Sequence, residues 1–144
     1  MLGQTENSRV CSELDPMAKL GDTFQLTAVS IDCHLHIIIS DPAQDSSRIV
    51  TANFTSWRAD KDQSCIVEVG EHRFIRVRSC VDYRRDKLIT LAEYERCLDT
   101  GDLNPHDPVS KVLMKRILDG AGVSPHLPLG NRKILVDQGL IDVE

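Results

Sequence analysis

The chain has 144 residues, a formal net charge of −5 and 41% apolar residues, which is enough for one domain with its own core and too apolar for disorder. No apolar run approaches the roughly 20 residues of a membrane helix. The opening MLGQTENSRVCSELD lacks a basic stretch followed by an apolar core, so no secretory leader is expected and a cytoplasmic location follows. The acidic total excludes whole-surface attraction for nucleic acid and shifts attention to local clusters.

Residues 1–19 are polar without sustained periodicity, a loose lead-in to a single domain over 20–144. Gly21-Asp22 marks a turn, after which FQLTAVSID (24–32) alternates as a strand. A second strand is expected over 34–40, ended by Asp41-Pro42. It places Leu35, Ile37 and Ile39 on one face and His34, His36, Ile38 and Ser40 on the other. A third spans 49–56, with Val50, Ala52 and Phe54 opposite Thr51, Asn53 and Thr55. The polar faces of this pair form either a floor for polar chemistry or an ordinary sheet with a wet face. Residues 58–64 are a charged connector. Two short strands follow over 65–69, closed by Gly70, and over 73–78. The second of them turns Ile75 and Val77 to the core and Phe74, Arg76 and Arg78 away from it. Five closely spaced strands predict a small barrel or sandwich.

After residue 85 the period changes. Thr90-Leu91-Ala92-Glu93 is a capping-box pattern that opens a short helix stopped near Gly101. Residues 104–108, with two prolines, are expected as a linker. Residues 108–120 form a second helix, with Val109, Val112, Leu113, Arg116 and Ile117 on one face and Gly120 at its end. The apolar segment 134–136 adds a strand or docks as coil. The order is β first, helices after: a mainly β, α+β chain with C-terminal α-helices.

Five scattered cysteines (Cys11, Cys33, Cys65, Cys80, Cys97) without a CxxC pair suggest buried apolar thiols rather than a disulfide framework. Cys33, His34 and His36, with Cys65 or His72, are residue types that suit zinc, but their spacing matches no standard motif, and neither a metal nor a cofactor is expected. Residues 73–87 hold Arg73, Arg76, Arg78, Arg84, Arg85 and Lys87 against Asp82 and Asp86. Such a patch attracts phosphate even in an acidic molecule, unless its arginines pair with the acids of the first half. Trp57, the only tryptophan, and Tyr83 anchor core to loop or offer a surface for base stacking.

GDTFQL (21–26), HIIIS-DP (36–42), ANFTSW (52–57) and RSCVDYRRDKLI (78–89), in that order, resemble the MazF/PemK-type toxins of toxin–antitoxin modules. The resemblance covers about residues 20–100. It implies a small SH3-like barrel with C-terminal helices (MazF/PemK/CcdB-like), usually a homodimer. It also implies metal-independent cleavage of single-stranded RNA and an antitoxin whose disordered tail fills the RNA groove. Matching IIIS (37–40) to the family's LVLS and FTS (54–56) to its VTS puts the family's hydroxyl on Thr55, with Ser56 beside it. The arginine and proline of the family's Arg-Pro fall on His34 and Leu35, so that signature is absent. Histidine suits proton transfer near neutral pH. Arg76 or Arg78 can stabilise phosphate charge, and Asp82 or Asp32 can orient a histidine. The expected catalytic set is His34, Thr55 and Arg78. The expected RNA contacts are His36, Asn53, Ser56, Trp57, Arg73, Arg76, Arg84 and Arg85. The missing Arg-Pro sustains a second reading, a catalytically inactive toxin-fold module that recognises a protein partner or nucleic acid.

Overall fold

Gly21 takes φ +94°, a left-handed turn conformation that costs glycine little, and the chain enters its first strand directly after it. The structure, a computed structural model, describes residues 18–27, 34–84 and 88–143. Expectations on the lead-in up to residue 17, on Cys11, on 28–32 of the first strand, on Asp32 and Cys33, and on Arg85, Asp86 and Lys87 lie outside the described residues.

The elements are β1 (Thr23–Leu26), β2 (His36–Ile38), β3 (Thr51–Ser56), β4 (Ile66–Val67), β5 (Ser79–Asp82), α1 (Leu91–Thr100), β6 (Leu103–His106), α2 (Lys111–Val123) and α3 (Leu129–Asp137). The strands form one sheet in the order β4-β5-β3-β2-β1-β6, every neighbouring pair antiparallel. Among the described residues its end strands, β4 and β6, do not pair with each other, so the sheet is open. The architecture is α+β.

Each face carries its own apolar cluster. Leu35, Ile37, Val50, Ala52, Phe54 and Val81 pack with Leu113 and Ile117 of α2 and with Ile134 and Leu135 of α3. Phe24, Ile38 and Ile49 pack with Tyr94 of α1, Leu103 of β6 and Ala18, so the fold begins before residue 20. Strand β2 is thus covered on both sides, and residues 35–40 are all buried. This corrects the expected wet face: His36 is 7% exposed and Asn53 1%. The His36 ring stacks on Phe24 at 5.3 Å, and Tyr94 meets the same ring edge-on. A strand buried on two faces replaces alternation with a continuous apolar run, here three isoleucines.

Four local expectations change. Residues 73–78 form no strand; they belong to the long β4–β5 connection, in which Ile75 is buried and Val77 is 53% exposed. Two of their amides bond back locally, Ile75 N to His72 O (2.9 Å) and Phe74 N to His72 Nδ1 (3.1 Å). The supposed linker forms β6, an edge strand in which Pro105 sits opposite Phe24. An edge strand tolerates proline because the N–H groups on its outer side have no ladder partner to serve. Helix α2 starts after the Ser110 cap and runs through Gly120 to Val123, burying Leu113, Met114, Ile117, Gly120 and Ala121. Val112 is 73% exposed and Arg116 also lies outward. The segment 134–136 is helical, within α3.

Helix α1 is capped as its sequence predicts. Glu93 N donates to Thr90 Oγ1 (3.0 Å), Thr90 N donates to Glu93 Oε1 (2.8 Å), and Gly101 ends the helix at φ +83°. Thr90→Ala is expected to lower the unfolding free energy by about 1 kcal/mol, read from the urea midpoint. An unchanged midpoint would show that the cap carries no stability.

Arg116 clamps α2 to the β4 edge. Its guanidinium pairs with Glu71 and donates to Ile66 O at 2.5 Å. The arginine hydrogen bond is the main reason the Glu71 carboxyl lies below its ordinary range. The ionised clamp therefore contributes fully above that ordinary value and is lost as pH falls through the depressed one. Glu71→Gln is expected to be less stable than wild type near pH 7 and to converge on it in acid, as pH falls below the ordinary carboxylate range. A stability gap that stays constant from neutral to acid pH would refute the coupling.

Candidate functional site

Strand β3 lies between β2 and β5 and carries the site. His36 faces Asn53 across β2–β3, and Phe54 N donates to Leu35 O at 2.8 Å. Thr55 pairs with Cys80 of β5, and His34 lies two residues before His36 on the β2 side.

His34, Thr55, Ser56 and Arg76 line one surface cleft of about 240 Å³, floored by Leu35, Phe54 and Ile75. His34 Nδ1 lies 3.1 Å from Phe54 O. A carbonyl only accepts, so this bond places the proton on Nδ1 and leaves Nε2 of the neutral ring as the basic nitrogen. Thr55 Oγ1 accepts from Lys61 Nζ at 3.1 Å, which leaves the threonine's own O–H to donate elsewhere.

Thr55 also borders a second, more polar cleft of about 370 Å³. Its other lining residues are Arg58, Asp60, Lys61, Asp62, Cys80, Asp82, Arg84 and His126. Burial alone would raise the Asp62 carboxyl, but hydrogen bonds from Ser124 and Ser64 outweigh it and hold the group below its ordinary range.

The basic patch is partly neutralised. Arg73 pairs with Asp107 (2.8 Å), Arg78 with Glu68 (3.0 Å) and Arg84 with Asp82 (3.1 Å). The Arg78 guanidinium also lies over the Trp57 ring, 5.9 Å from its centre, and takes up that base-stacking face. Among the described residues Arg76 forms no ion pair, and it alone of these arginines lines the His34 cleft. The Arg73–Asp107 and Arg78–Glu68 pairs are exposed on both sides, whereas Asp82 is only 13% exposed, and exposed pairs are weak in water.

Of the residues expected to act, His34, Thr55, Ser56 and Arg76 therefore meet. Arg78, expected as catalytic, lies outside both clefts, and Arg84 lines the second one. His36 and Asn53 are buried in the sheet. Trp57 is half-buried, its backbone N–H on Arg78 O at 3.0 Å. Tyr83 is an internal anchor, its hydroxyl donating to Ile117 O at 2.6 Å. Burial pushes the Cys65 thiol up to about 11 and raises Cys80 as well, which makes both poor nucleophiles at neutral pH. Among the described residues no three His, Cys, Asp or Glu side chains gather as a metal-binding group, and no helix is long and apolar enough to cross a membrane.

Lys61, Asp60, Asp62 and His126 are new relative to the sequence reading. The run RADKD (58–62) signals a charged connector, but nothing in it shows that Lys61 folds back onto Thr55. His126 reaches the cleft from the turn between α2 and α3. No family model, curated protein or solved structure matches the chain.

Proposed function

We propose that this chain is a MazF/PemK-like toxin, a metal-independent endoribonuclease that cuts single-stranded RNA. The observation that carries this reading is the single cleft where His34, Thr55, Ser56 and Arg76 meet. The short strings of residues 20–100, in their order along the chain, support a divergent relative of that family in which the sheet is open. In this reading the protein works in the cytoplasm as a homodimer, and an acidic antitoxin tail competes with RNA for the cleft.

The chemistry divides among these side chains. His34 Nε2 takes the proton of a ribose 2′-hydroxyl, and that oxygen attacks the adjacent phosphorus. Arg76 and the Thr55 hydroxyl stabilise the negative charge that builds on the phosphorane oxygens. The imidazolium returns its proton to the departing 5′-oxygen. The products are a 2′,3′-cyclic phosphate and a 5′-hydroxyl end. Incubating micromolar protein with mixed single-stranded RNA, without added metal, should yield fragments with those ends. Intact RNA after several hours would overturn the reading.

A second reading, an inactive binding module for nucleic acid or a protein partner, is favoured by one observation: three of the described arginines of the patch are held by carboxylates. Salt-dependent RNA binding without turnover would select it for nucleic acid, and capture of a small acidic protein would select the partner role.

A further inference from the structure

The two clefts that meet at Thr55 differ in charge. The His34 cleft is lined by Arg76 and by no carboxylate. The second is lined by Arg58, Lys61 and Arg84 against Asp60, Asp62 and Asp82. Arg58 and Arg84 already face Asp60 at 3.5 Å and Asp82 at 3.1 Å. Asp62 accepts from Ser64 N at 2.8 Å and Ser124 Oγ at 2.5 Å. A phosphate entering there would confront three carboxylates and displace existing partners. An uncharged group with both donors and acceptors would meet complementary atoms without that repulsion.

A nucleobase edge is such a group, and single-stranded RNA is read by hydrogen bonds to the edges of unstacked bases. The cleft's volume of about 370 Å³ falls within the range of clefts that take small organic groups. Asp60 is its most available carboxylate: its side chain is 75% exposed and its one ion-pair partner among the described residues is Arg58 at 3.5 Å. Its neighbour Lys61 is a donor that faces no carboxylate within ion-pair distance among the described residues and already points at Thr55. Guanine alone among RNA bases sets two donors, N1–H and N2–H, beside an acceptor, O6, on its Watson–Crick edge. We propose that the second cleft is a guanine-reading subsite, with Asp60 accepting from N1–H and N2–H and Lys61 donating to O6. Because Thr55 borders both clefts, the base read belongs to a nucleotide next to the phosphate held by Arg76. This rests on the RNA reading above.

The test uses the His34→Ala protein, so that binding is observed without cleavage, and four labelled short oligouridylates that differ in one central base. Fluorescence anisotropy should show the guanine oligomer binding about tenfold more tightly than the other three. Adding Asp60→Asn should remove that preference, while Lys61→Arg should keep it. Equal binding of all four, a preference for another base, a guanine preference that survives Asp60→Asn, or no binding would overturn the subsite. A guanine preference that depends on Asp60, in a protein whose wild type leaves RNA intact, would uphold the subsite and overturn only the endoribonuclease.

Discussion

His34→Ala is expected to slow RNA cleavage about 10²–10⁴-fold, the range typical of a positioned acid–base group. The histidine is held for that role, with Nδ1 tied to Phe54 O at 3.1 Å and the ring at the mouth of a cleft that also presents Arg76. Initial rates on a defined single-stranded RNA measure the effect, and the urea midpoint shows whether the fold is kept. Arg76→Ala should cost about 10²-fold through lost charge stabilisation. Arg78→Ala should change the rate far less, because Arg78 is spent on Glu68 and the Trp57 ring. A His34→Ala protein that cuts within a few-fold of wild type would remove His34 as the base. Loss of activity on Arg78→Ala with none on Arg76→Ala would restore the assignment that the sequence alone suggests.

Gly120→Ala is expected to destabilise the protein by about 2–3 kcal/mol, and Gly120→Val by more. A Cβ at this position would lie 2.6 Å from Tyr83 Oη, 2.8 Å from Ser64 O and 2.9 Å from Cys65 Cβ. Two of those neighbours cannot yield cheaply. The Tyr83 hydroxyl is buried and bonded to Ile117 O, and Ser64 O belongs to the backbone leading into β4. Alanine would gain about 1 kcal/mol of helix propensity, which is smaller than the cost of overpacking plus a displaced buried hydroxyl. Urea unfolding of both variants measures the effect. A Gly120→Ala midpoint equal to wild type would mean that α2 shifts freely over β4, contrary to the clamp that Arg116 makes on the same strand.

Gly120 also shows where reading a sequence stops. A glycine late in a helical pattern resembles a C-cap, and Gly101 is one, at φ +83°. Gly120 sits inside the helix because Tyr83, 37 positions earlier in the chain, needs the space. The pattern of 73–78 misled for a similar reason: its alternation of apolar and basic residues fits a strand, but the amides of Phe74 and Ile75 bond back to His72 instead of to a ladder. Half of the candidate site was legible, since His34, Thr55, Ser56 and Arg76 follow from strand pairing and a basic run. Arg78 and Arg76 could not be told apart without seeing which one Glu68 captures.

What the sequence by itself determined is the set of features that act between near neighbours. These are the Thr90 capping box, the turns at Gly21 and Gly101, and the turn that ends the second strand at Asp41-Pro42. Each depends on residues a few positions apart, whose geometry the backbone imposes whatever lies beyond them. Tertiary structure alone decided that β2 is buried on both faces, that Pro105 sits in an edge strand, and that Lys61 reaches Thr55, which borders both clefts. Those outcomes come from contacts between distant segments, where burial and charge pairing are settled by which surfaces meet.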